Sequence, residues 1–397
     1  MRSIDVICFG GEDWWYHNRG HIDMQLMRRF ARMGTALYVN SIVMQKPNLR
    51  KGTSEGTSFT KKLIRKSKSI FRGLWKTDAG FWVYSPLSLP VHHIGWLRKL
   101  NEIILRLQLR FVMQQLEIHN PIVWVACPAA CDVAVGMKKN KLVYQRTDRF
   151  EEYPNVDAEI ISQYDWKLKA QADLVVYVNR TLYEQEMGQS QKAIYLDHGV
   201  DYDLFSSAHK DAKKPEDIAL IPRPIAGYFG AVEELKLDTD FLRDIVNLLP
   251  DISFVFVGKA TAAFSSLGAH KNVWLLGQKP YEQIPHYGKC FDVAIIPWRN
   301  SRWTEAANPI KLKEYLALGK QVVSTPAFTE LKEYPDVVYQ AETTEEFADC
   351  IKKALVENNP ERVAERRKKV QTSTWDSKAE LLLEELFGRN NYFPVSD

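Results

Sequence analysis

Short apolar runs rich in β-branched and aromatic residues recur along the chain, separated by segments of helical length and period. The first half carries Val6-Ile7-Cys8-Phe9, Ala36-Leu37-Tyr38-Val39, Phe81-Trp82-Val83-Tyr84, Ile122-Val123-Trp124-Val125, Leu142-Val143-Tyr144-Gln145, Leu174-Val175-Val176-Tyr177-Val178 and Ala193-Ile194-Tyr195-Leu196. Runs without polar alternation predict strands buried on both faces, as in a parallel sheet covered by helices. The first half therefore reads as one doubly wound α/β domain. A second alternating series extends from Ile225 to Tyr339. Between the two, from Ser206 to Pro224, the pattern lapses into the polar stretch Ala208-His209-Lys210-Asp211-Ala212-Lys213-Lys214-Pro215-Glu216-Asp217, which predicts a domain boundary. A chain of 397 residues also exceeds what one hydrophobic core holds.

The segment from Asn308 to Thr325 is the most specific chemically. Pro309 suits the first turn of a helix, where its missing N–H costs nothing, and Gly319 suits the left-handed residue that ends one. Lys311 then lies in the first turn, beside unbonded backbone N–H groups and the positive end of the helix dipole, a seat for a diphosphate. Glu314 is one turn further on and can accept hydrogen bonds from sugar or ribose hydroxyls. An ordinary surface helix with a Lys–Glu pair is the competing reading.

The order Pro309-x-Lys311-x-x-Glu314-Tyr315-x-Ala317-x-Gly319, followed by Val322-Val323, resembles the C-terminal domain of GT-B glycosyltransferases. Ile225-Ala226-Gly227-Tyr228-Phe229-Gly230, Phe254-Val255-Phe256-Val257-Gly258, Val273-Trp274-Leu275-Leu276-Gly277 and Asp292-Val293-Ala294-Ile295-Ile296-Pro297 are similar to that family's strand ends, in the same order. The resemblance implies an α/β GT-B fold: two doubly wound Rossmann-like domains with an interdomain cleft. Residues 1–205 would be the acceptor-binding domain and 218–372 the nucleotide-sugar domain. Residues 373–397, opening at Trp375-Asp376-Ser377, would be a helix crossing back to the first domain. It further implies uridine diphosphate as the carrier, with uracil against the loop around Gly277 and Tyr281, and donor contacts from Gly230, Asn308, Lys311 and Glu314. Many retaining members place two glutamates seven residues apart; here Ala306 stands at the first position and Glu305 one place off. That departure leaves the stereochemistry open and tilts it toward inversion.

In the N-terminal half, Gly10-Gly11 follows the first strand and opens into Glu12-Asp13-Trp14-Trp15-Tyr16-His17-Asn18-Arg19-Gly20-His21. Paired glycines let backbone approach a ligand closely, and the carboxyl edge of a strand is where open α/β sheets bind ligands. Trp14, Trp15, Tyr16, His17 and Arg19 can stack on a sugar and contact a phosphate, or the tryptophans can pin the loop to its domain. Asp148, after another strand, is the first candidate for the general base, and resembles the aspartate base of inverting GT-B enzymes that transfer glucuronic acid. An ion pair with Arg146 or Arg149 is its alternative role. His17 and His21 are rival bases. This loop, with the C-terminal motif, is also similar to the glycosyltransferases of teichuronic acid biosynthesis in Gram-positive bacteria, which implies a cell-wall polymer of glucuronic acid and N-acetylgalactosamine.

Composition narrows the partners. A formal charge of +4 excludes a general nucleic-acid binder, so electrostatics must rest on local clusters. One runs through Lys61, Lys62, Arg65, Lys66 and Arg72, interleaved with Leu63, Ile64, Phe71 and Trp75, and reads as a helix lying on the anionic inner leaflet of the cytoplasmic membrane. A solvated face packing on its own domain is the alternative. If the membrane reading holds, the acceptor is a lipid-linked saccharide. Five cysteines without metal-ligand spacing read as reduced core residues, and the start Met1-Arg2-Ser3-Ile4-Asp5 is no signal peptide, so a cytoplasmic, peripherally membrane-bound location is expected. Asp238-Thr239-Asp240 matches an acid-x-acid metal triplet but reads as a helix cap, so neither metal nor other cofactor is expected. Arg299, Arg302 and Trp303 can face the sugar, and arginine there would favour an acidic one. Two other functions fit the same pattern: a non-catalytic GT-B subunit that binds nucleotide or glycan, and a UDP-sugar epimerase.

Overall fold

A computed structural model describes residues 4–16, 20–40, 42, 59–88, 95–153, 155–357 and 359–388, with backbone alone for 59–63. The chain forms two compact units, residues 1–197 with 375–397, and residues 198–374.

The first unit is built on an eight-stranded sheet in the order β3-β4-β2-β1-β5-β6-β7-β8. The strands are β1 (Val6–Phe9), β2 (Ala36–Val39), β3 (Leu74–Lys76), β4 (Trp82–Tyr84), β5 (Ile122–Val125), β6 (Lys141–Arg146), β7 (Leu174–Tyr177) and β8 (Ala193–Tyr195). All pair in parallel except β3, which runs antiparallel to β4 at the edge. Every residue of β1, β2, β5 and β7 is buried, as their unbroken apolar character requires. Three helices of this unit matter below: α1 (Ile22–Phe30), α2 (Phe59–Phe71) and α3 (Gly95–Gln115).

The basic segment is therefore not one helix. It ends as a helix at Phe71, Gly73 turns with φ of 61°, and Trp75 falls on edge strand β3 instead. Glycine in a left-handed conformation stops a helix whatever the amphipathic pattern beyond it.

The second unit has a six-stranded parallel sheet in the order β11-β10-β9-β12-β13-β14. Its strands are β9 (Ile225–Phe229), β10 (Ser253–Val257), β11 (Val273–Leu275), β12 (Val293–Ile296), β13 (Val322–Ser324) and β14 (Val338–Gln340). Chain order reverses between β9 and β12, the switch point at which such sheets bind ligands beyond the strand ends. Two helices flank it here: α4 (Thr239–Leu248) and α5 (Ile310–Leu318).

The division between units falls at Asp197, before the polar stretch that marks it in the sequence. Residues 198–205 are held by the second unit. Val200 bridges in parallel to Thr374, Lys313 Nζ donates to Ser373 Oγ (2.7 Å) and to the His198 carbonyl, and Phe205 packs edge-on to Tyr281. The last helix, α6 (Trp375–Phe387), groups with the first unit, where Asp376 pairs with Arg29 (3.3 Å) of α1 and Arg32 (2.8 Å) just beyond it, and Trp375 is fully buried.

Gly10 is required by packing. A Cβ there would lie 2.0 Å from Tyr38 Cζ, because the Tyr38 ring crosses the strand end to donate from its hydroxyl to the Glu12 carbonyl (2.9 Å) and to Asp23 Oδ2 (3.1 Å). Gly10→Ala is expected to cost about 1–3 kcal/mol by overpacking. Gly188→Ala, where nothing stands within 4 Å, should be close to neutral in the same thermal-denaturation measurement.

Candidate functional site

Helix α5 forms as its sequence dictates. Pro309 sits just before the first helical residue, and Gly319 closes the helix in the left-handed conformation (φ 79°, ψ 17°). Tyr315 anchors it to β9: its hydroxyl accepts from the Phe229 N–H at 2.9 Å, and its ring lies 4.4 Å from the Phe229 ring. With its apolar side so fixed, the first turn carries Lys311 to the end of β9.

There Lys311 meets two aromatic faces, its Nζ 5.1 Å from the Tyr228 ring centroid and 4.8 Å from that of Trp298. Gly230 leaves room for it; a Cβ at Gly230 would come within 3.0 Å of Lys311 Cε, and its φ of 129° suits glycine alone. Among the described residues Lys311 has no ion pair or hydrogen bond. Burial, with Lys236 adding, pushes its pKa down to about 7 against the pull of Glu314 and Glu233. Glu314, 5% exposed, is pushed up to about 7 by burial, opposed by Lys311 and by a hydrogen bond from Tyr281, while Asp201 adds to the rise. A cation held on ring faces at a helix N-terminus, with a buried acid one turn behind, is arranged to receive an anion and its hydroxyl-bearing neighbour.

The structure thus brings together Gly230, Tyr281, Lys311 and Glu314. Asn308 is half-buried just ahead of α5, and Gly277 takes φ of 71° at the end of β11, with no neighbour within 4 Å of where its Cβ would be. Arg299 lies 3.6 Å from Asp238, so its charge is already met, and Trp303 is buried beneath Lys236. These two facts weaken the case for an acidic sugar at this loop. Trp298, Arg299 and Asp238 also line a hollow of about 270 Å³ with Thr325 and Glu342. Asp238 caps α4, accepting from the N–H groups of Asp240 (3.0 Å) and Phe241 (3.2 Å). Among the described residues no three His, Cys, Asp or Glu side chains are grouped to hold a metal.

In the first unit, Gly11 donates its N–H to Asp23 Oδ2 at 2.8 Å, and Asp23 is fully buried in the first turn of α1. His21 caps that helix, its Nδ1 3.5 Å from Asp23 Oδ1. Burial opposes the imidazolium, yet Asp23, with Glu12 and Asp148 adding, raises the His21 pKa. Burial likewise opposes the Asp23 carboxylate, but His21 and the N–H groups of Gly11 and Met24 hold its pKa low. Asp23 is the functional candidate that the sequence reading lacks; its signal is the spacing of an acid two residues beyond His21 at a helix start.

Asp148 is half-buried and accepts from the Tyr153 hydroxyl at 2.8 Å. Arg146 instead pairs with Glu151 (2.9 Å) and Glu186 (3.2 Å), and Arg149 donates to Gln185 (2.6 Å). His17 and Arg19 lie outside the described residues. Trp14 is 3% exposed and packs edge-on to Phe81 at 4.8 Å, so it is core and no sugar platform. Trp15 and Tyr16 lie under cations of the basic segment, Arg72 at 4.3 Å and Arg65 at 5.2 Å. That segment is therefore tied in part to its own domain. Lys66 is half-buried, its pKa lowered by burial, whereas Phe71 (90%) and Trp75 (55%) stay exposed. The side chains of Lys61 and Lys62 lie outside the described residues.

Two sheets, parallel except for β3, with candidate residues at their strand ends, match the fold of solved structures. Sucrose-phosphate synthase of Thermosynechococcus elongatus superposes with a TM-score of 0.67 at 13% identity, over 96% of this chain and 97% of that one. Anabaena Alr3699/HepE, solved in complex with UDP and glucose, gives 0.65 at 14% identity, over 97% and 99%. The fold is GT-B. Residues 223–357, which contain the Lys311 site, match the family Glycosyl transferases group 1. A Bacillus subtilis (strain 168) protein, TuaH, named as a candidate teichuronic acid biosynthesis glycosyltransferase, is 27% identical over 232 residues, 55% of this chain. The match spans 57% of that relative's length.

A half-buried cation without an ionic partner among the described residues burdens the empty protein. Lys311→Met, similar in length and uncharged, is expected to raise the melting temperature at pH 7 by about 2 °C or more, from a gain of about 1 kcal/mol. A lower melting temperature would mean that the ammonium already contributes to the fold.

Proposed function

We propose that this protein transfers a sugar from a uridine-diphosphate donor to a lipid-linked saccharide in the assembly of a cell-wall polysaccharide of the teichuronic acid kind. The observation that carries the donor half is Lys311, a cation seated at a helix start, walled by Tyr228 and Trp298, with no ion-pair partner among the described residues. A diphosphate supplies that anion. Glu314 accepts from sugar or ribose hydroxyls, and the backbone near Gly277 with Tyr281 receives the uracil. The group 1 domain at 223–357 and the UDP complex of Anabaena HepE support this donor class; the name of TuaH supports the polymer.

In the reaction an acceptor hydroxyl oxygen attacks the anomeric carbon, and the bond from that carbon to the diphosphate oxygen breaks. Lys311 and the helix dipole meet the charge gathering on the departing UDP, in the role a metal plays elsewhere. The hydroxyl proton passes to a carboxylate or imidazole base. Asp148 and the Asp23-held His21 are the described candidates; His17 is a third. UDP-glucuronic acid and UDP-N-acetylgalactosamine are the donors proposed. No helix among the described residues is long and apolar enough to cross a membrane, so contact with a lipid-linked acceptor is proposed as peripheral.

A panel of UDP-sugars tested by thermal shift should give a selective rise with one donor; at 100 times its dissociation constant a ligand stabilises by about 2.7 kcal/mol. Lys311→Ala should abolish that rise and the release of UDP on turnover. Folded protein that responds to no uridine-linked sugar would contradict the reading.

A further inference from the structure

Helix α3 buries Asn101, Leu105, Leu109 and Val112 against its unit. Its opposite side should be polar if it faced only water. Instead Trp96, Leu100, Ile103, Leu107 and Phe111 are exposed by 70, 43, 55, 59 and 62%. At 100° per residue these five fall within about 80° of arc, a continuous apolar strip about 22 Å long. Single exposed apolar side chains are ordinary, but five in register, two of them aromatic, form a contiguous patch of the kind that marks an interaction surface.

Charge indicates the partner. Lys99, Arg106 and Arg110 follow one another along one flank of the strip, and Lys99 and Arg110 are exposed. Glu102 is the acidic residue within the helix, and Arg106 already holds it at 2.6 Å. An apolar strip edged by cations, of which Lys99 and Arg110 pair with no acid among the described residues, is complementary to anionic lipid, whose headgroups receive the basic side chains while the acyl boundary receives the apolar ones. A second copy of the same face would set like charges against each other, and the one acid of α3, Glu102, is already held by Arg106.

We propose that the exposed strip of α3 seats the first unit on the surface of an anionic lipid bilayer. This deepens the lipid-linked acceptor reading and rests on it for its purpose, since a membrane-held acceptor must be met at the bilayer. The strip is distinct from the basic segment at 61–76, two of whose cations are engaged with Trp15 and Tyr16.

The test is co-sedimentation of the full chain with vesicles of phosphatidylcholine alone or mixed with phosphatidylglycerol. Binding is expected to the mixed vesicles and to weaken with salt. Leu100→Glu with Leu107→Glu should lower the partition coefficient about tenfold or more, with the melting temperature and the UDP-sugar thermal shift unchanged. Lys99→Glu with Arg110→Glu should remove the preference for mixed vesicles. Retention of the donor response separates failure here from failure of the donor site. The proposal is overturned if wild-type protein ignores mixed vesicles, or if the α3 variants bind as wild type does while Phe71→Asp alone abolishes binding. It is also overturned if the apolar-strip variants lower the melting temperature, which would place the face against the chain itself. A wild-type dimer that those variants dissociate, seen by light scattering, would overturn it as well.

Discussion

The site of the second unit depends on one unfavourable placement: a half-buried ammonium group held on two ring faces, with no ion-pair partner among the described residues. Everything around Lys311 serves that placement. Tyr315 fixes α5 to β9 through the Phe229 N–H, Gly319 ends the helix, and Gly230 withholds a side chain that would collide with the lysine stem. Glu314 is near enough to act on the charge but is itself buried and drawn toward neutrality. Such a pair does little for the empty fold. Its physical sense lies in an anion that arrives with a ligand and restores the lysine to full charge.

The first unit shows the complementary economy. Asp23, buried in the first turn of α1, ties together the Gly11 N–H, the Tyr38 hydroxyl and the His21 imidazole. One carboxylate thus sets the path of the loop and orients the ring that stands at its end. Trp14 completes the arrangement from below by filling the space beside Phe81. The loop that reads as a ligand-stacking surface is therefore in large part a packed structure, and the glycine at position 10 answers to Tyr38.

Strand positions were legible because a strand buried on both faces leaves an unbroken apolar run, and such runs predicted the strands of the first unit other than β3 within a residue or two at each end. Strand β3 was not legible: Leu74-Trp75-Lys76 alternates and sits beside a helix of similar pattern, so only the left-handed Gly73 betrays the break. The Lys311 cluster was readable from capping residues and spacing, since both are local. The boundary at Asp197 and the Asp23–His21 contact were not, because they depend on which side chains meet across the fold: Lys313 reaching residues 198 and 373, and Tyr38 reaching over Gly10. The exposed strip of α3 cannot be told from a core face by its helical period; only burial shows that a second, inner face already fills that role.

Proton uptake on ligand binding tests the central claim most directly. With a pKa of about 7, Lys311 is mostly neutral at pH 8 in the empty protein, and a diphosphate beside it must raise that pKa. Titration calorimetry of UDP at pH 8, in buffers of different ionisation enthalpy, should therefore show about one proton taken up per nucleotide, with affinity weakening as pH rises above 7. Binding with no proton uptake, and an affinity flat from pH 7 to pH 9, would contradict a half-buried Lys311 of lowered pKa as the group that grips the diphosphate.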